Sequence, residues 1–117
     1  MSFIKKIKKE LILEICLFCL LIIFAIIFYQ NNILLTLLLL GLWGVGLKFW
    51  HKKEDLAFFF GGAIVPLVGE VACVYFGVWE YANPTLLSIP LWLPLGWGLT
   101  AVVIKRIAET FVKIEMK

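Results

Sequence analysis

The 117-residue sequence is poor in charge, in histidine and in cysteine, and each shortage excludes a class of protein. Charged residues make up 16% of the chain, hydrophobic residues 63%, and the mean hydropathy is +1.03. A soluble domain of this size cannot bury so much apolar surface. One histidine and three cysteines, Cys16, Cys19 and Cys73, are too few and too scattered for a zinc or redox site. Phosphate-binding loops are also lacking, so the sequence indicates no metal and no nucleotide cofactor.

Apolar runs are what the sequence has in abundance. Four of them cover residues 11–29, 33–50, 56–76 and 89–107. Each approaches the roughly 20 residues that a helix needs to cross a hydrocarbon core of about 30 Å. The sequence therefore predicts an all-α fold, an integral membrane four-helix bundle, in which residues 1–117 form a single membrane domain.

Positive charge is missing from two of the three predicted connections. All 11 Lys and Arg residues lie before the first run, in or beside the second connection, or towards the end of the chain. Residues 30–32 carry no charge, and Glu80 is the only charged residue in 77–88. Because positive residues stay on the cytoplasmic side, we predict a multi-pass protein of the inner membrane with both termini cytoplasmic. The net charge of +3 indicates attraction to anionic lipid and no nucleic-acid partner.

The two ends of the chain are amphipathic. Lysines ahead of the first run imitate a signal peptide, but the run is too long, Glu14 interrupts it and residues 28–31 offer no small-residue cleavage site. We predict a retained helix. Apolar side chains share one helical face at each end, which predicts short interfacial helical tails: Phe3, Ile4, Ile7 and Leu11 at one end, Ile107, Phe111 and Ile114 at the other.

Two acidic residues, Glu14 and Glu70, fall inside the apolar runs. An ionisable group at a helix centre costs roughly 2.5–3.5 kcal/mol on insertion scales, so each is expected to have a partner. For Glu14 we predict an ion pair with Lys48 or Lys105 near the headgroups, or simple snorkelling. No cation lies on the same side as Glu70 in the sequence. Glu70 is therefore expected to be protonated, hydrogen-bonded to tyrosine, indole or backbone groups, or exposed to a wet cavity.

The residues around Glu70 predict a ligand pocket on the outer side. Small residues line its helical face, which favours close approach of another helix: Gly62, Pro66, Cys73 and Gly77, with Gly41 and Gly44 expected to act similarly on the second helix. Trp97 is predicted at the depth of Glu70, below a kink at Pro94. The predicted site consists of Glu70, Tyr75, Trp79, Glu80, Tyr81, Asn83, Trp92 and Trp97. An ordinary aromatic belt at the headgroups is the alternative explanation for Trp79, Tyr81 and Trp92.

Part of this segment resembles a known family. Residues 76–81 read F-G-V-W-E-Y and residues 89–97 read I-P-L-W-L-P-L-G-W. Together with Glu70 they resemble the glutamate, F-G-x-Y-x-Y and V-P-L-x-x-P-L-x-W pattern of membrane carotenoid hydratases of the bacterioruberin-pathway type, and more loosely heterodimeric lycopene cyclases. The resemblance covers residues 70–98, and Trp79 stands where the family has tyrosine. Those hydratases are longer, so the resemblance implies that this chain supplies half of a bundle. The chain would then form a homo-oligomer or join a partner membrane subunit.

The resemblance implies acid chemistry on an isoprenoid or carotenoid-like lipid. Glu70 would donate a proton to a double bond, and Glu80 would orient water or the departing proton. The rings of Tyr81, Trp92 and Trp97 would stabilise the carbocation. Two other classes stay open: a non-catalytic scaffold or lipid-binding subunit, whose small and aromatic residues serve packing, and a small proton-coupled multidrug-type transporter that uses Glu14.

Overall fold

The structure, a computed structural model, describes residues 2–82, 84–85 and 88–115. Within that part of the chain the architecture is all-helical, as predicted, and comprises four helices in the order α1 (Ser2–Phe28), α2 (Asn32–Phe49), α3 (Lys53–Tyr75) and α4 (Leu93–Glu115). Three segments are long and apolar enough to cross a membrane: Ile4–Phe28, Asn32–Phe49 and Lys53–Tyr75. These lengths and hydropathies are those of a membrane protein.

The first and last helices differ from their predicted bounds. α1 already begins at Ser2, so the lysine-rich segment and the apolar run form one continuous helix. α4 begins at Leu93, later than predicted, because Pro90 and the turn after it precede the helix. It then continues without a break to Glu115. Its second half is charged, and α4 is not among the segments that meet the length and hydropathy criteria for a span.

Local capping chemistry sets the turns between the helices. The Asn31 side chain accepts a hydrogen bond from the Leu34 N–H at 3.1 Å, which caps α2 after a tight turn from α1. α3 ends in a Schellman motif: Gly77 has φ +75°, and the Val78 N–H donates to the Cys73 carbonyl at 2.8 Å. Glycine adopts this left-handed backbone without a Cβ clash. The turn reverses the chain just beyond the last residue of α3.

α4 is the centre of the bundle and packs against all three other helices. The α3–α4 approach is very close, because a Cβ on Gly62 would lie 2.3 Å from the Ala101 Cβ. The predicted role of Gly62 as a close-contact residue is thus confirmed. The same prediction for Gly41 and Gly44 is wrong: both are exposed, and a Cβ on either would meet no atom within 4 Å. α2 instead contacts α3 through the stacked rings of Trp43 and Phe59, 4.4 Å apart.

An ion-pair cluster joins the first turn of α3 to the second half of α4. Asp55 is only 1% exposed and accepts hydrogen bonds from Lys105 Nζ at 2.9 Å and Arg106 Nε at 3.0 Å, with a further bond from the Arg106 Nη2. The two-pronged Arg106 contact fixes both position and angle. The predicted pairing of Lys105 with Glu14 is therefore wrong, since Lys105 binds Asp55 and Glu109.

Candidate functional site

Glu70 lies at the centre of a cage of hydrogen-bond donors. Its Oε1 accepts from the Trp97 indole N–H at 3.1 Å, and its Oε2 accepts from the Trp79 indole N–H at 3.1 Å and from the Tyr81 hydroxyl. The glutamate itself is only 7% exposed. Two side chains from the connection after α3 and one from α4 thus meet at a carboxyl group that belongs to α3.

The fold brings these donors together in two ways. The Gly77 turn folds the connection back over α3, so that Trp79 and Tyr81 reach Glu70 from above. The close α3–α4 contact brings Trp97 to Glu70 from the neighbouring helix. Thr85 fastens the rest of the connection, since its hydroxyl accepts hydrogen bonds from Asn32 Nδ2 at 2.8 Å and from the Leu91 N–H at 3.3 Å. The cage is consequently supported from α2 as well.

The electrostatics of the cage suit an ionised carboxylate, which only accepts hydrogen bonds. Both indole N–H groups can only donate, and within the described residues no cationic side chain contacts Glu70. Burial, followed by the Glu70 carboxylate beside it, raises the pKa of Tyr81 well above its usual value. Tyr81 therefore keeps its proton and its hydrogen bond to Glu70 at neutral pH.

An apolar groove runs past this cage. Its inner part has a volume of about 360 Å³ and includes Glu70, and its outer part has a volume of about 540 Å³ and includes Glu80. Both parts share the lining residues Ile22, Ala25, Tyr81 and Trp92, so they form one continuous feature, called the α1 groove below. These volumes fall in the range of ordinary small-molecule sites, about 300–1,000 Å³.

The α1 groove has the dimensions of one half of a bilayer. Its α1 wall extends from Phe18 to Tyr29, which at 1.5 Å per residue is roughly 16 Å. A hydrocarbon core is about 30 Å thick. The opposite wall comes from the start of α4 and the connection before it, where Trp92 and Gly96 line the inner part.

The predicted site residues fall into three groups. Glu70, Trp79, Tyr81 and Trp97 form the cage, while Glu80 and Trp92 line the α1 groove. Tyr75 is 82% exposed, contacts the ring of Phe76 and lines neither part of the groove. Asn83 lies outside the described residues. The described residues contain no group of three or more side chains that could hold a metal ion.

The wall from α1 was missed by the sequence interpretation. Its lining residues are Phe18, Leu21, Ile22, Ala25, Ile26 and Tyr29. They are ordinary residues of a hydrophobic helix, and nothing in their spacing distinguishes them from lipid-facing neighbours. Asp55 was also missed as the partner of Lys105 and Arg106, although an acidic first turn of α3 opposite the only arginine was a usable signal.

Glu14 has a different environment from the one predicted. It is 2% exposed and its carboxyl oxygens lie 3.1 and 3.2 Å from the Thr110 hydroxyl on α4, itself 1% exposed. Among the described residues, no lysine or arginine forms an ion pair with Glu14. Glu14 is thus enclosed between two helices, away from the α1 groove.

Comparisons of the chain with protein-family models, with curated proteins and with solved structures found no match. The resemblance of residues 70–98 to carotenoid hydratases therefore stays a prediction. The site must be interpreted from its own geometry.

Proposed function

We propose that this protein is a membrane lipid-binding protein whose α1 groove holds one long apolar chain of the isoprenoid class. The observation that carries the proposal is the continuous groove along α1, which passes directly over the Glu70 cage. Its lining is apolar and aromatic with a few polar groups, as in ligand sites generally. The ring faces of Trp92 and Trp97 offer flat surfaces that suit a branched or polyene chain.

Binding accounts for the geometry better than acid chemistry on the bound chain. To protonate a double bond, Glu70 would have to carry a hydrogen and direct it into the groove. Both of its oxygens instead accept hydrogen bonds from donors of the cage. The three donors occupy both oxygens and hold the side chain in one position. We therefore assign Glu70 the role of bracing the groove wall.

We also propose that the chain lies in the inner membrane with both termini cytoplasmic and the α1 groove in the outer leaflet. Two features support this orientation. All basic residues lie at the end of the bundle where α1 begins and α4 ends. The connection with Trp79 and Tyr81, together with Trp92, supplies the aromatic residues that favour the opposite interface.

Filling the groove tests the binding proposal. Ala25 lines both parts of the α1 groove and is half-buried, so the Ala25→Trp substitution would place an indole in the path of the chain. We expect the gently purified wild-type protein to retain an isoprenoid or other long-chain lipid in native mass spectrometry. The Ala25→Trp variant should lose that lipid, with a reduction of about tenfold or more, since the bound chain and the indole need the same volume.

A matched control separates this effect from a change in the membrane-facing surface. Ala72 is exposed on α3 and lines neither part of the groove, so Ala72→Trp adds the same side chain elsewhere. We expect Ala72→Trp to co-purify with as much lipid as the wild type. If all three proteins carry the same bulk phospholipid and no specific lipid, the binding proposal is wrong, and a structural subunit becomes the better interpretation.

A further inference from the structure

The lining of the α1 groove includes two acidic side chains and several aromatic ones, but no basic side chain. Glu80 lines the outer part and Glu70 the inner part. Residues 10–47 and 54–104 contain no lysine, arginine or histidine, so the whole outer half of the chain lacks a cation. The side chains that donate hydrogen bonds to Glu70 are all uncharged. The groove consequently has a negative potential, which repels anionic head groups.

The aromatic rings in the outer part of the groove favour a positively charged head group. Tyr29, Tyr81 and Trp92 line the outer part of the groove together with Glu80. Aromatic faces attract ammonium groups, and a nearby carboxylate adds to that attraction. An anionic head group would lie beside the Glu80 carboxylate, and no basic residue is present there to bind that head group. A long chain that lies along α1 would place its head group in the outer part of the groove, beside Glu80.

We infer that the α1 groove selects amphiphiles with a cationic, ammonium-type head group and discriminates against anionic ones, with Glu80 as the residue that determines this specificity. The inference rests on the proposed function, because it concerns the same groove. It adds the chemical class of the head group. Glu80 is exposed, and its side chain forms no hydrogen bond or ion pair with any of the described residues, so the specificity can be changed without unfolding the protein.

Three photoreactive amphiphiles with the same tail and with a trimethylammonium, hydroxyl or sulfate head group test this inference. The protein is placed in bilayers of an uncharged glycolipid, which has no ammonium group to compete with the probe, and the cross-linked residues are mapped by mass spectrometry. We expect the ammonium probe to label groove residues at least about tenfold more than the sulfate probe at low salt, and less so at high salt. Glu80→Gln should reduce the ratio, and Glu80→Lys should reverse it.

The Glu54→Gln variant controls for the probes' own partitioning into the bilayer. Glu54 is an exposed acid at the opposite end of α3, so its loss should leave the labelling ratio unchanged. Equal labelling by all three probes, or a ratio that Glu80→Gln does not alter, would overturn the inference while leaving lipid binding intact. If none of the probes labels the groove, the proposed function is overturned and this inference with it.

Discussion

Two buried glutamates in this protein have opposite hydrogen-bonding environments. Glu70 faces three donors, two indoles and a phenol, which suit a carboxylate. Glu14 faces a single hydroxyl, that of Thr110, and this hydroxyl has two acceptors within reach. The Arg106 carbonyl lies 2.9 Å from the Thr110 oxygen, closer than Glu14 does. Because a hydroxyl carries one hydrogen, the Glu14 carboxyl must supply the second hydrogen if both contacts are hydrogen bonds.

This count of hydrogens gives a prediction for Glu14. An amide N–H can replace the O–H of a protonated carboxyl as the donor to Thr110, so we expect Glu14→Gln to preserve stability within about 0.5 kcal/mol. Infrared spectroscopy of the wild type should show the C=O stretch of a protonated carboxylic acid, and this band should be absent from Glu14→Gln. Glu70→Gln serves as the control and should leave the band in place. A band that disappears in Glu70→Gln alone would contradict the assignment.

Asp55 illustrates the opposite situation, a buried carboxylate with two cations. Removal of one member of such a cluster leaves buried charge without a partner, typically at a cost of about 3–5 kcal/mol. We expect Asp55→Asn to destabilise the protein by about 3 kcal/mol, because Lys105 and Arg106 lose their shared acceptor. Thermal unfolding in detergent measures this loss. The neighbouring exposed acid provides the comparison: Glu54→Gln should change the midpoint little, and equal losses in both variants would refute the argument.

At the scale of helices, the α3–α4 contact depends on two glycines. A Cβ on Gly98 would lie 2.8 Å from the Phe59 carbonyl oxygen, and one on Gly62 would lie 2.3 Å from the Ala101 Cβ. Backbone atoms cannot move aside as flexible side chains can, so the helices would have to separate. That separation would also move Trp97 away from Glu70, since the two residues lie on these helices. The cage therefore depends on the spacing of α3 and α4.

Alanine substitutions test this dependence. We expect Gly62→Ala and Gly98→Ala each to destabilise the protein by about 1–3 kcal/mol through overpacking. Gly61→Ala and Gly69→Ala provide controls on the same helix, because a Cβ on either would meet no atom within 4 Å. These controls should be neutral or slightly stabilising, since alanine favours helix over glycine by roughly 1 kcal/mol. Destabilisation by all four variants alike would contradict the packing argument, because a Cβ at Gly61 or Gly69 meets no neighbour and helix propensity alone makes glycine-to-alanine substitutions stabilising.

The sequence predicted the number and type of the helices because their apolar runs and turn signals are local. Asn31 and Gly77 act within a few residues of their positions. Which faces meet depends on the arrangement of all four helices, and here the sequence was less informative. The glycines of α3 and of α2 have similar spacing, yet α4 packs against Gly62 whereas Gly41 remains exposed. Hydropathy cannot distinguish these two cases, since bilayer lipid and a neighbouring helix are equally apolar.

The candidate site was also predictable only in part, namely where its geometry follows from local structure. The position of Trp97 at the level of Glu70 could be predicted from helix rise alone, because the two residues lie on adjacent antiparallel helices, and the 3.1 Å hydrogen bond agrees with it. The groove could not be predicted, since one of its walls belongs to α1, remote in sequence from the cage. Likewise, nothing in the sequence indicates that Glu14 would contact Thr110 instead of Lys105.

For the molecule as a whole, the contacts along α3 determine how α4 must lie. Near its start α3 holds α4 through the bond between Asp55 and Lys105 at 2.9 Å. Near its end it holds α4 through the bond between Glu70 and Trp97. These two contacts on α3 are separated by roughly 22 Å of helix. If α3 crosses the membrane, α4 must therefore cross beside it, even though its charged second half makes it less apolar than the other three helices.

This reasoning predicts which positions a membrane-impermeant maleimide reaches in intact cells. In a background with the three cysteines replaced, single cysteines are introduced by Gln30→Cys, Glu54→Cys, Glu80→Cys and Glu115→Cys. We expect the cysteines at positions 30 and 80 to react from outside, and those at 54 and 115 to react only after permeabilisation, because the basic residues keep their end of the bundle cytoplasmic. Reaction of position 115 from outside together with position 80 would mean that α4 does not cross. That result would also be incompatible with the bond between Asp55 and Lys105, so it would refute the arrangement of α3 and α4 as well as the topology.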